Sequence, residues 1–154
     1  MAREKQEIAE SPLKLDEFLC FAIYSANHAF NRVYQPLLVK LGLTYPQFIA
    51  MILLWAEDDQ TVGELGRKLF LQSNTLTPLL KRLEALGYID RRRDRADERQ
   101  VGIKLTTRGR SLQAKAAEII CCVRSATGLK DKQMARMLED VAALRRSLDA
   151  YPSV

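Results

Sequence analysis

A single histidine, His28, and the lack of any Cys-x-x-Cys among three cysteines leave little with which to build a zinc site or a dithiol redox centre. Cys20, Cys121 and Cys122 do not make a disulfide framework, and in a reducing compartment they are expected as thiols. Long apolar runs are missing too. The stretch from Phe48 to Ala56 is bounded by Gln47 and Glu57 and falls short of the ~20 residues that a membrane span requires. Met1 to Glu10 is charged and has no apolar region, so no secretory signal is expected and the cytoplasm is the expected location. Internal repeats, low-complexity tracts and linkers are also absent. His28 lies within an amphipathic helical pattern, where a satisfied, non-catalytic histidine is the ordinary case. Neither metal nor cofactor is expected.

What is present is a chain of 154 residues, 47% hydrophobic and 28% charged, enough for one domain with a real core. Its charge is unevenly spread. Residues 61–110 carry 12 Lys/Arg against 6 Asp/Glu, while the remainder carries 12 against 13, so the formal +5 arises entirely in the middle third. Such a concentration of cations is the footprint of a polyanionic partner.

The segment Ser73 to Gly87 gives that footprint a shape. Leu76, Leu79, Leu80, Leu83 and Leu86 recur at three- and four-residue steps, predicting a helix with one apolar stripe. Ser73 or Asn74 is the expected N-cap, Pro78 is expected near the end of the first turn, and Gly87 is the expected stop. The exposed side then carries Ser73, Asn74, Thr75 and Thr77, with Lys81 and Arg82 beyond. Short polar groups that reach base edges, followed by cations that reach phosphates, suit a helix entering a major groove. Alone, this pattern equally describes a solvated helix face; its neighbours decide. Upstream, Thr61 and Glu64 form a capping box that opens a short helix through Val62, Leu65 and Leu69, joined to the next by Phe70-Leu71-Gln72. Downstream, Tyr88-Ile89 and Val101-Gly102-Ile103-Lys104-Leu105 read as two strands around an arginine-rich tip, Asp90 to Gln100. This is a winged helix-turn-helix, with double-stranded DNA as the expected partner.

Around it the expectation is mainly helical, α+β overall. A long helix is predicted from about Leu13 towards Pro36, with Leu15, Leu19, Ala22, Ala26, Ala29 and Val33 as a heptad seam. Gly42 marks its stop, and Thr44-Tyr45-Pro46-Gln47 is a second capping box opening a helix through Phe48, Ile49, Ile52 and Trp55. Thr106 is the expected cap of a helix with Leu112, Ala116, Ile119, Ile120 and Val123 on its apolar face, ending near Gly128. A last helix from about Asp131 carries a seam of Met137, Val141, Leu144, Leu148 and Tyr151. Seams at both ends predict dimerisation helices at about 13–40 and 107–151, flanking a DNA-binding part at about 45–105. A homodimer is expected to read a palindromic operator.

This order of elements, with Asp97-Glu98-Arg99 at the wing tip and Leu105-Thr106-Thr107-Arg108-Gly109 after it, resembles the MarR family of dimeric winged-helix regulators along nearly the whole chain. Four further pieces resemble its organic hydroperoxide resistance (OhrR) subgroup: Leu19-Cys20-Phe21-Ala22-Ile23-Tyr24, then Tyr34, then Leu43-Thr44-Tyr45-Pro46-Gln47, then Leu76 to Leu83. The resemblance implies a cytoplasmic, non-enzymatic repressor whose Cys20 is oxidised by organic hydroperoxides, after which the dimer releases its operator. It implies that Tyr24, Tyr34 and Tyr45 bond that thiol and that Arg99 enters a minor groove, with Asp97 placed to orient it. In two-cysteine members a second thiol resolves the oxidised one across the dimer; Cys121 or Cys122 is the candidate here, or a small cellular thiol. Helical spacing points Cys121 away from the apolar stripe and Cys122 to its flank. Rival readings are a regulator of the same fold that senses a small aromatic ligand, with Cys20 structural, and a thiol peroxidase.

Overall fold

The computed structural model describes residues 14–93 and 101–152. It divides into two compact units after Gln113.

In the first unit, a short 3-10 turn at Leu15–Glu17 leads into helix α1, Leu19–Val39. The expected start near Leu13 is therefore too early, because Phe18 is extended (φ −93°) and acts as N-cap. Pro36, where the helix is expected to kink or end, does not end α1. Its missing N–H frees only the carbonyl four residues earlier, and the helix runs on to Val39 before Gly42 turns left-handed at φ +67°.

Helix α2, Tyr45–Ala56, opens at the predicted capping box, where the Thr44 N–H donates to Gln47 Oε1 at 2.8 Å. Phe48, Ala50, Met51 and Leu54 on this helix are fully buried and form the middle of the core. Strand β1, Gln60–Thr61, was not foreseen from the sequence; two residues are too few to show an alternation. Helix α3, Val62–Leu69, carries the second predicted box: Glu64 N–H donates to Thr61 Oγ1 at 3.2 Å and Thr61 N–H donates to Glu64 Oε2 at 2.7 Å. That backbone donor holds the Glu64 carboxyl below its usual range.

The turn Phe70 to Gln72, with Phe70 left-handed, delivers helix α4, Ser73–Ala85. Its N-cap is Gln72 and not Ser73 or Asn74: the Gln72 carbonyl already accepts from Thr75 and Leu76 at 3.0 Å. The tight turn brings the chain to helical angles one residue before the better capping side chain. Pro78 consequently lies beyond the first turn, and the Asn74 carbonyl loses its helical donor. Leu76, Leu80 and Leu83 are fully buried. At the other end Gly87 (φ +71°) completes a Schellman cap, with Gly87 N–H to the Glu84 carbonyl at 2.8 Å and Tyr88 N–H to the Leu83 carbonyl at 3.1 Å.

Strands β2, Ile89–Arg93, and β3, Val101–Leu105, pair antiparallel with Ile89 opposite Leu105 and Arg93 opposite Val101. β1 adds to the other edge of β3, giving the order β1-β3-β2. Thr106 then caps α5, Thr107–Ser111, through Gly109 N–H at 2.9 Å. Gly109 lies so close to the Tyr88 carbonyl that a Cβ there would overlap it, and its own carbonyl accepts from Trp55 Nε1 at 2.9 Å. One long helix from Thr106 to Gly128 is not formed. Helix α5 ends at Ser111 and the next begins at Gln113, with Leu112 between them.

Helix α6, Gln113–Ala126, leads into the second unit. Ala116, Ile119 and Val123 are buried, whereas Ile120, expected on the same face, is exposed. Gly128 (φ +66°) separates it from α7, Asp131–Asp149, whose Met137, Val141 and Leu148 are exposed.

Candidate nucleic-acid interface and thiol site

The first turn of α4 exposes most of the polar residues singled out in the sequence, Thr77 excepted. Ser73, Asn74 and Thr75 are exposed and Thr77 is half-buried, while Lys81 and Arg82 are exposed one turn on. Thr75 Oγ1 donates to Asn74 Oδ1 at 3.3 Å. The face is rich in short donors and acceptors backed by cations, the chemistry that reads base edges and phosphates.

The arginine run does not behave as one block. Arg92 is exposed, 3.9 Å from the Asp90 carboxylate. Arg91 turns back instead: its N–H donates to Glu84 Oε1 at 3.2 Å, and its Nη1 lies 3.6 Å from Glu84 Oε2. Asp97 and Arg99, the predicted wing-tip pair, lie outside the described residues.

The base of the wing is held by a corner that sequence reasoning treated only as a helix end. Asp58 Oδ1 accepts from Leu105 N–H at 2.8 Å, and Asp58 Oδ2 pairs with Arg110. Lys104 Nζ lies 3.7 Å from Asp59 Oδ2. Burial opposes the charge on Asp58, but the Leu105 and Asp59 amides and the Arg110 guanidinium outweigh it and hold the carboxyl below its usual range. No local pattern marks Asp58, because its partners lie 47 and 52 residues away.

Cys20 is exposed in the first turn of α1. Tyr24, one turn on, is exposed as well, and its ring packs on His28 at 4.4 Å and Phe21 at 6.2 Å. Tyr34 and Tyr45 form a separate pair, rings 4.7 Å apart, with Tyr34 also 5.9 Å from Phe48. Burial pushes both phenols up, and for Tyr34 the neighbouring Tyr45 adds to the effect. Both therefore stay protonated donors well above neutral pH. Cys20 and Tyr34 share the unbroken α1, and 14 residues of helix separate them by roughly 21 Å. The predicted thiol-supporting set thus falls into two groups, Tyr24 beside Cys20 and Tyr34 with Tyr45 further along. Cys121 and Cys122 are both exposed on α6, so exposure does not choose between them.

Comparison with known proteins gives this geometry a context. The family model for the transcriptional regulator SarA/Rot matches residues 32–116. The HTH-type transcriptional regulator TtmR of Methylorubrum extorquens is 48% identical over 141 residues, covering 92% of this chain and 72% of that protein. The organic hydroperoxide resistance transcriptional regulator of Bacillus subtilis is 47% identical over 107 residues, covering 70% of this chain and 73% of that one. Among solved structures, overoxidised AbfR bound to DNA superposes with a TM-score of 0.74 at 34% identity, over 96% of this chain and 99% of that one; AbfR is a protein of Staphylococcus epidermidis. The chain belongs to the SarA/Rot family of MarR-like winged-helix transcriptional regulators.

Proposed function

We propose that this regulator is a homodimeric repressor that senses organic hydroperoxides through Cys20. The observation that carries the reading is an exposed thiol in the first turn of α1, in a chain closely similar to a regulator of organic hydroperoxide resistance. In the reduced dimer, two α4 helices enter successive major grooves of a palindromic operator, Ser73, Asn74, Thr75 and Thr77 facing bases and Lys81 and Arg82 facing phosphates. Arg99, oriented by Asp97, serves the flanking minor groove, whose negative potential attracts arginine. The Cys20 thiolate attacks the hydroperoxide O–O bond, taking one oxygen as sulfenic acid and releasing the alcohol. A second thiol, from Cys121, Cys122 or a small cellular thiol, then displaces water to form a disulfide.

The length of α1 supports a division of labour among the tyrosines. Tyr24 is within a turn of Cys20. Tyr34, about 21 Å along the same helix, and Tyr45, whose ring packs on Tyr34, serve a Cys20 of the partner subunit. The sensing site is therefore shared across the dimer, where oxidation alters the spacing of the two DNA-reading helices.

The test is a mobility shift on a palindromic duplex selected by the reduced protein, with and without cumene hydroperoxide, followed by mass mapping of Cys20. The duplex should be bound, released by the peroxide, and retained by Cys20→Ser under peroxide. Release by peroxide from Cys20→Ser would refute the sensing role. Displacement by an aromatic acid without any Cys20 adduct would favour the ligand-sensing rival. Tyr34→Phe should slow Cys20 oxidation; an unchanged rate removes Tyr34 from the site.

A further inference from the structure

We infer that Glu84 and Arg91 form an internal strut that sets the angle between the recognition helix α4 and the wing, and that Arg91 is a positioning residue withdrawn from the DNA. The inference rests on the reading of α4 and the wing as the DNA-binding surface.

Three observations meet at this pair. Strand β2 is an edge of its sheet, since the order is β1-β3-β2, and edge strands leave outward N–H groups to be satisfied. Glu84 takes one of them, accepting from Arg91 N–H at 3.2 Å. Its second oxygen faces Arg91 Nη1 at 3.6 Å, so one carboxylate grips both backbone and side chain of the same residue. Second, the Arg91 side chain is four-fifths covered whereas that of its neighbour Arg92 is 69% exposed, and Arg91 Nε is buried with no hydrogen-bond partner among the described residues. An arginine head folded onto its own protein in this way is not presented to phosphate. Alternate residues of a strand point to opposite faces, so the run Arg91-Arg92 splits into one inward and one outward cation. Third, Glu84 stands in the last turn of α4, three residues before the Gly87 cap. Between Glu84 and Arg91 the chain makes the whole helix-to-strand corner, and the pair closes that corner.

The two roles open to a cation in this run make opposite predictions. Were Glu84 an ordinary solvated acid near DNA, Glu84→Gln would tighten binding by removing repulsion. As a strut, the same change loosens the wing and weakens binding. A phosphate contact contributes a slope of about one to the dependence of log affinity on log salt; a strut contributes none.

The experiment measures binding of the duplex selected by the wild-type full chain at several salt concentrations, for wild type, Glu84→Gln, Arg91→Gln, the double variant and Arg92→Ala. Thermal unfolding of each variant serves as a check on folding. We expect Glu84→Gln and Arg91→Gln each to weaken binding by about three- to tenfold at unchanged salt slope, and the double variant to bind no worse than the weaker single. Arg92→Ala should lower the slope by about one per protomer. Tighter or unchanged binding by Glu84→Gln, additive losses in the double variant, or a fall in slope with Arg91→Gln would each overturn the strut. A wild-type chain that binds no selected duplex, or an α4 variant Lys81→Ala with unaltered slope, would instead overturn the DNA-binding reading beneath it.

Discussion

Helices α4 and α1 carry apolar residues at the same helical spacing and meet opposite fates. In α4, Leu76, Leu80 and Leu83 are completely buried. In α1, Leu19 is 60% exposed and Ile23 41% exposed, and most of the predicted seam lies in the open. Spacing reports that a stripe needs a partner; it does not report where the partner is. For α4 the partners are the helices and sheet of its own unit. For the first half of α1 the described residues supply none. The same contrast separates the buried Ala116, Ile119 and Val123 of α6 from the exposed Met137, Val141 and Leu148 of α7.

The comparison can be broken most sharply at Leu80. Leu80→Ala should destabilise the chain by about 2–5 kcal/mol, the range for a buried leucine that leaves a cavity, as read by denaturant unfolding. A cost under about 1 kcal/mol would mean that α4 is not held by its core stripe. On the other side, Ile23→Asp should change subunit stability by no more than about 0.5 kcal/mol, as surface changes do. Its effect should fall on sedimentation, shifting the species towards monomer. Loss of fold without a change of association would place the partner of α1 inside the subunit after all.

Smaller effects sharpen the same picture at element ends. Thr61→Ala removes the oxygen that accepts Glu64 N–H and should cost about 1 kcal/mol, measurable as a lowered unfolding midpoint. The smallest is a dependence on acid. Asp58 titrates lower in the folded chain than in the unfolded one, so its contribution is complete above the unfolded value of about 4 and is lost as pH falls through the lower, folded value. Asp58→Asn should flatten the acid limb of a stability curve below about pH 4 and leave its shape at pH 7 to 9 unchanged. A loss of pH dependence in the alkaline range would contradict the assignment.

Much of the architecture was legible because it is local. A capping box spans three residues, a left-handed glycine acts on its own helix, and a leucine stripe repeats within two turns, so Thr44, Thr61, Gly87 and the α4 leucines could be read directly. The errors were also local competitions. Ser73 is the better cap by chemistry, yet the turn geometry hands that place to Gln72. Pro36 is a helix breaker by rule, yet near a helix end it frees a single carbonyl and α1 tolerates it. Of the candidate site, the polar face of α4 and the pairing of β2 with β3 were readable. The corner at Asp58, the inward turn of Arg91 and the strand β1 were not.

By itself the sequence determined the winged helix-turn-helix, its caps at Thr61, Gly87 and Thr106 and the placement of positive charge, since each depends on residues a few positions apart and on intrinsic backbone preference. Only the tertiary structure decided that Tyr34 meets Tyr45, that one arginine of the run faces Glu84 and the next faces solvent, and which apolar stripes are covered. Those outcomes depend on which distant segments the packed core brings together, and one-dimensional periodicity carries no term for that.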